Sequence, residues 1–166
     1  MSREPEDLPA SGQAPLGEGR FAIARATFYP DLAERLTAGA LKGFREEGIA
    51  EEAVEIFDVP GAFELPLAAK ACASSGAYAG VACLGAVIRG ETPHFDHVAG
   101  ECARGLQDVA LGTGIPVAFG VLTTEDMGQA LSRAGGKHGN KGWDAAMAAM
   151  ETADVLDRLP KHEDKA

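Results

Sequence analysis

From Arg20 onward the chain repeats one kind of pattern: a short apolar run, a turn, then apolar residues at helical spacing. The run Phe21–Thr27 predicts a first strand. After Pro30 and Asp31, the residues Leu32, Leu36, Ala40 and Phe44 share one i+4 row and predict a helix ending near Gly48. Val54–Val59 predicts a second strand. The helix after the Pro60-Gly61 turn has to begin near Phe63, because Pro66 is tolerated only in a first turn, where its missing N–H is not needed. Val81–Ile88 is almost continuously apolar, as in a parallel strand covered on both faces. Phe95, Val98, Ala99, Cys102, Leu106, Val109 and Ala110 then follow helical spacing closely. Val117–Leu122 predicts a fourth strand, with Thr123 or Thr124 capping a short helix that reaches about Ala134. A last helix is predicted from about Lys141 to Leu159, capped by Asn140, with Trp143, Met147 and Met150 on one face among alanines.

This order, βαβαβαβαα, predicts an α/β three-layer sandwich built on a four-stranded parallel sheet. Residues 1–19 are rich in Pro and Gly and poor in large apolar side chains, so they are expected to form a flexible tail. Residues 20–159 are expected to form one domain, and 160–166 a short polar tail. A chain of 166 residues with 46% hydrophobic content suits one well-buried core.

Fifteen basic residues against 25 acidic ones give a net charge of -10, which disfavours nucleic acid or an anionic membrane as a partner. An anionic substrate would therefore have to be met by local positive groups. Cys72, Cys83 and Cys102 stand singly in small-apolar runs, without disulfide-framework or zinc spacing, and are expected as reduced core residues of a cytoplasmic protein. The acidic N-terminus lacks the features of a secretory signal, and no apolar run approaches membrane-spanning length.

Parallel sheets bind ligands beyond the carboxyl ends of their strands, where the strand order reverses. Arg89-Gly90-Glu91-Thr92-Pro93-His94 follows the third strand and opens a helix, where free N–H groups and the helix dipole favour an anion. An imidazole at His94 can serve there as general acid or base, although a surface histidine at a helix start is an equally ordinary reading. His97 and Glu101 follow on the same helix and superficially suggest a metal site. No fourth ligand accompanies them, and His97 is expected on a solvated face with Arg104 and Asp108.

Gly135–Gly142 has the wrong spacing for a phosphate loop and reads as a flexible helix-helix turn, with Arg133, Lys137 and Lys141 as a local positive cluster. Phe28 and Phe63 follow strand ends, where they are either core residues or faces for a planar ring. Glu64 is either a first-turn acid or an acceptor for polyol hydroxyls.

Taken together, Val59-Pro60-Gly61-Ala62-Phe63-Glu64-Leu65-Pro66, Leu84 to Phe95, Phe119-Gly120-Val121-Leu122-Thr123 and Gly139-Asn140-Lys141-Gly142 resemble the lumazine synthase family. The match is ordered and correctly spaced from about Phe21 to Leu156. It implies a flavodoxin-like fold and a transferase of riboflavin biosynthesis. Such an enzyme condenses 5-amino-6-(D-ribitylamino)uracil with 3,4-dihydroxy-2-butanone 4-phosphate to 6,7-dimethyl-8-ribityllumazine, with neither metal nor organic cofactor.

By this resemblance Phe28 stacks on the pyrimidine, Ala62, Phe63 and Glu64 hold the ribityl chain and ring, and Val87 and Ile88 give backbone contacts. The N–H groups around Glu91 and Thr92 receive phosphate together with Arg133, and His94 shuttles protons. Phe119, Arg133 and Lys141 reach the site from a neighbouring subunit. The resemblance further implies homopentamers and a functional link to riboflavin synthase. The uninterrupted turn from Ala134 to Gly142 is similar to that of members that build an icosahedral shell. Tyr29 departs from the asparagine or tryptophan also common after the stacking Phe.

Two other readings are weighed. A non-catalytic ligand-binding or shell-forming member of the family is disfavoured because every matched position is intact. A flavodoxin-like binding or signalling domain would carry acidic or phosphate-loop residues after the first strand, where this chain has Ala26-Thr27-Phe28-Tyr29.

Overall fold

The computed structural model describes residues 19–161; the predicted tails lie almost wholly outside them. Four strands, β1 (Phe21–Ala26), β2 (Val54–Val59), β3 (Gly80–Ile88) and β4 (Val117–Thr124), form one parallel sheet in the order β2-β1-β3-β4. Helix α1 (Pro30–Glu46) links β1 to β2, α2 (Leu65–Ser74) links β2 to β3, and α3 (His94–Thr113) links β3 to β4. Helices α4 (Met127–Ser132) and α5 (Lys141–Arg158) follow β4.

The chain first steps from β1 outward to β2, then returns across β1 to β3. With crossovers of one hand, opposite steps put successive helices on opposite faces. Accordingly α1 and α5 cover one face and α2 and α3 the other. The short side-chain period of β1 serves both layers: Phe21 and Ile23 enter the first, Ala22, Ala24 and Ala26 the second. Central β3 is buried throughout except at Ile88, whereas edge strand β2 leaves Ile56 and Phe57 partly exposed. Cys72, Cys83 and Cys102 are unpaired and buried in the α2–α3 layer.

Pro66 lies in the first turn of α2, after a single 3-10 turn at Ala62–Glu64, as its missing N–H requires. Asn140 caps α5 by accepting from the N–H groups of Gly142 and Trp143. Trp143 Nε1 donates to Glu46 at 3.0 Å, joining α5 to α1.

Three local expectations are corrected. Thr123 and Thr124 do not cap α4: they extend β4, paired in register with Val87 and Ile88, and Asp126 supplies the cap to Gln129 N–H at 2.8 Å. Helix α4 also stops at Ser132, short of Ala134. The glycine-rich run is an antiparallel hairpin rather than a flexible turn, with β5 (Ala134–Gly136) paired to β6 (Gly139–Asn140). Positive φ at Gly135 and Gly139 permits the tight reversal.

Candidate active site

The strand order reverses between β1 and β3, and a cavity of about 600 Å³ opens beyond the carboxyl ends of these strands. Four segments build it. The end of β1 supplies Phe28 and Tyr29, and the turn after β2 supplies Gly61, Ala62, Phe63 and Glu64. Ala86, Val87 and Ile88 form the wall at the end of β3, and α3 adds His94, His97, Val98 and Glu101.

Two aromatic faces are available to a planar ligand: Phe28 is 72% exposed and Phe63 62%, far from the burial expected of core residues. Tyr29 meets Phe28 edge-on, with ring centroids 5.0 Å apart and an interplanar angle of 78°. That contact restrains the Phe28 ring, which nevertheless stays largely exposed. Glu64 is exposed at the cavity wall beside Phe63 and can accept hydroxyl hydrogens there.

His94 is the first residue of α3 and follows Pro93, which caps the helix without a side-chain hydrogen bond. Thr92 Oγ1 accepts the His94 N–H at a long 3.4 Å. The helix start thus retains the partial positive charge that suits an anion. Glu91 and Thr92 are exposed on the turn before it and do not line the cavity.

Arg89 lies at the base of this turn. Its guanidinium pairs with Glu125 at 3.0 Å and Asp96 at 3.4 Å, and stands 4.4 Å from the centroid of the Phe95 ring. The hydrogen bond to Glu125 raises its affinity for the proton above the ordinary arginine value.

The seven expected residues Phe28, Ala62, Phe63, Glu64, Val87, Ile88 and His94 therefore meet in one cavity. Phe119, Arg133 and Lys141 do not join them. In register Phe119 pairs with Cys83, five residues before the Ile88–Thr124 pair at the strand ends. At about 3.3 Å per residue that is roughly 17 Å short of the cavity end of the sheet. Arg133 is half-buried beyond α4 and donates to the Gln129 carbonyl at 3.1 Å; Lys141 N–H donates to the Arg133 carbonyl at 2.9 Å.

The family model described as 6,7-dimethyl-8-ribityllumazine synthase matches residues 18–157. The chain belongs to the 6,7-dimethyl-8-ribityllumazine synthase family. It is 51% identical over 140 residues to 6,7-dimethyl-8-ribityllumazine synthase of Desulfatibacillum aliphaticivorans, covering 84% of this chain and 90% of that protein. It is 49% identical over 140 residues to the synthase of Syntrophus aciditrophicus (strain SB), covering 84% of this chain and 91% of that protein.

His97 is exposed on the same helical stripe as Arg104 and Asp108, as expected, and at the start of that stripe it also lines the cavity together with Glu101. Spacing is the signal for this: His97, Val98 and Glu101 are three, four and seven residues past His94 and so share its helical face. Among the described residues, no three His, Cys, Asp or Glu side chains are grouped to hold a metal ion. No helix among them is long and apolar enough to cross a membrane.

Proposed function

We propose that the chain carries out its family's reaction in the cavity beyond β1 and β3, with His94 moving protons and a neighbouring copy completing the phosphate site. The reaction condenses 5-amino-6-(D-ribitylamino)uracil with 3,4-dihydroxy-2-butanone 4-phosphate, releases phosphate and water, and yields 6,7-dimethyl-8-ribityllumazine, the penultimate step of riboflavin biosynthesis. The observation that carries the site assignment is the meeting of His94, Phe28, Phe63 and Glu64 in one cavity at the point where strand order reverses.

The roles follow from chemistry. Phe28 stacks on the pyrimidine ring, whose planarity matches an aromatic face. Ala62, Phe63 and Glu64 hold the ring and ribityl chain, the Glu64 carboxylate accepting hydroxyl hydrogens. Val87 and Ile88 contribute backbone contacts at the end of β3.

The N–H groups of Glu91 and Thr92 and the start of α3 receive the phosphate, and the Glu91 carboxylate is directed away from it. His94 accepts and returns protons as the imine forms, phosphate leaves and the second ring closes.

Phe119, Arg133 and Lys141 act on the site of an adjacent copy in a homopentamer. The depth of Phe119 in the sheet and the absence of Arg133 and Lys141 from the lining of the chain's own cavity support this reading, as does the partly exposed apolar edge at Ile56 and Phe57. The short Ala134–Asn140 hairpin favours pentamers gathered into an icosahedral shell. A functional link to riboflavin synthase and a cytoplasmic location complete the reading, the latter supported by three buried unpaired thiols.

Purified protein given both substrates is expected to form a fluorescent lumazine and to release phosphate without added metal. No product from correctly folded protein would contradict this. Arg133→Ala is expected to weaken use of the phosphorylated substrate more than that of the pyrimidine. Equal losses would remove Arg133 from the phosphate role. Light scattering distinguishes a pentamer from the larger shell by mass.

A further inference from the structure

The turn Gly90–Pro93 leaves from Arg89 and returns into α3, and the side chain at its base is tied to the two residues just past the start of that helix. Arg89 Nη2 is 3.4 Å from Asp96 Oδ1, and its guanidinium carbon lies over the Phe95 ring. Its Nε is 3.0 Å from the Glu125 carboxylate, and its backbone N–H donates to the Thr124 carbonyl at 2.9 Å. One side chain thus joins the end of β3, the first turn of α3 and the segment after β4. The ordinary devices for fixing a helix start are weak here: Pro93 makes no side-chain cap, and Gly90 has no neighbouring atom within 4 Å of where a Cβ would stand.

Stability alone is a poor reason for this cluster. Exposed ion pairs contribute little, and the Arg89 side chain is 39% exposed. Geometry is a better one, because a displacement of about 1 Å near a reacting group can cost on the order of a hundredfold in rate. Arg89 lines no part of the cavity, so it acts through the turn.

We propose that Arg89 is a positioning residue: bridging Glu125, Asp96 and Phe95, it fixes the Gly90–Pro93 turn so that its N–H groups and His94 are set for a phosphate-bearing substrate. This rests on the reading of residues 90–94 as the phosphate turn. The role needs the planar fork of arginine, which offers edges to two carboxylates and a face to the ring at once; a lysine ammonium cannot do all three.

The test uses full-length protein with Arg89→Lys and Glu125→Gln variants, steady-state kinetics in each substrate, and calorimetric titration with inorganic phosphate. Arg89→Lys is expected to raise KM for the phosphorylated substrate and Kd for inorganic phosphate by about tenfold. KM for the pyrimidine should stay within about twofold, with the melting temperature little changed. Glu125→Gln separates positioning from simple charge. Removing a carboxylate near an anion site tightens phosphate if only charge matters, and weakens it if Glu125 anchors Arg89.

Tighter phosphate binding by Glu125→Gln overturns the proposal, as does equal loss for both substrates in Arg89→Lys. Unchanged phosphate affinity in Arg89→Lys, with wild-type binding intact, overturns the Arg89 role alone. Wild-type protein whose phosphate binding does not compete with the phosphorylated substrate overturns the phosphate-turn reading as well.

Discussion

Asn140 reaches across to Arg35: its Nδ2 donates to the Arg35 carbonyl of α1 at 3.0 Å while its Oδ1 caps α5. One side chain therefore both starts α5 and docks it on α1. The approach is so close that a Cβ at Gly39 would collide with the Asn140 side chain, and one at Gly142 with the Leu36 carbonyl.

Losing the cap and the bridge together should make Asn140→Ala less stable by about 1–2 kcal/mol. Gly39→Ala should cost more, since backbone or cap must move. Denaturant unfolding at one fixed protein concentration reads both. An Asn140→Ala protein as stable as wild type would show that the docking contributes nothing.

Arg25 on β1 grips Asp58 on edge strand β2 with two hydrogen bonds, at 2.7 and 3.1 Å. The hydrogen bond from Arg25 holds the Asp58 carboxyl below its ordinary value of 3.8. A carboxyl depressed in the folded state stabilises the protein above its unfolded value and loses that contribution as pH falls through the folded one. Asp58→Asn should thus be less stable than wild type at neutral pH, by a small margin because Asp58 is half exposed. The gap should close below about pH 4. Melting curves across pH check this, and a gap that widens on acidification would contradict it.

Burial pushes the Cys102 thiol up to about 11 and the Cys83 thiol higher still, and it also raises Cys72. Thiolate is the reactive form. Native protein at pH 8 is expected to resist a thiol-specific reagent, and unfolded protein to release all three thiols. Rapid labelling of Cys83 in folded protein would place it outside the core.

The sheet and its helices were legible because their signals are local. The Phe21–Thr27 apolar run, the Pro66 start and the Asn140 cap each act within one element. Thr123 and Thr124 were misread because a threonine can cap a helix or extend a strand, and partners on β3 decided the matter. The hairpin was hidden in a run of glycines with no apolar alternation; contacts such as His138 N–H to the Ser132 carbonyl at 2.8 Å set its register. Spacing puts His97 on the exposed stripe of Arg104 and Asp108, but that the cavity reaches the first two turns of this stripe depends on how α3 packs beside β1 and the turn after β2. The resemblance implies that Phe119 and Arg133 serve a neighbouring site; the strand register sets Phe119 well short of the cavity end of the sheet, and Arg133 lines no part of the chain's own cavity.

That sharing of sites is tested most directly by mixing two defective proteins. His94→Ala lacks the proton-transfer residue of its own cavity, and Arg133→Ala lacks the arginine offered to a neighbour. If neighbouring copies share sites, co-assembled oligomers contain cavities with His94 from one chain and Arg133 from the other. Lumazine formation by the co-assembled mixture should then clearly exceed the sum of the two variants assayed alone. Activity no greater than that sum, in oligomers shown to contain both chains, would mean that His94 and Arg133 serve the same chain's site and would contradict the shared active site.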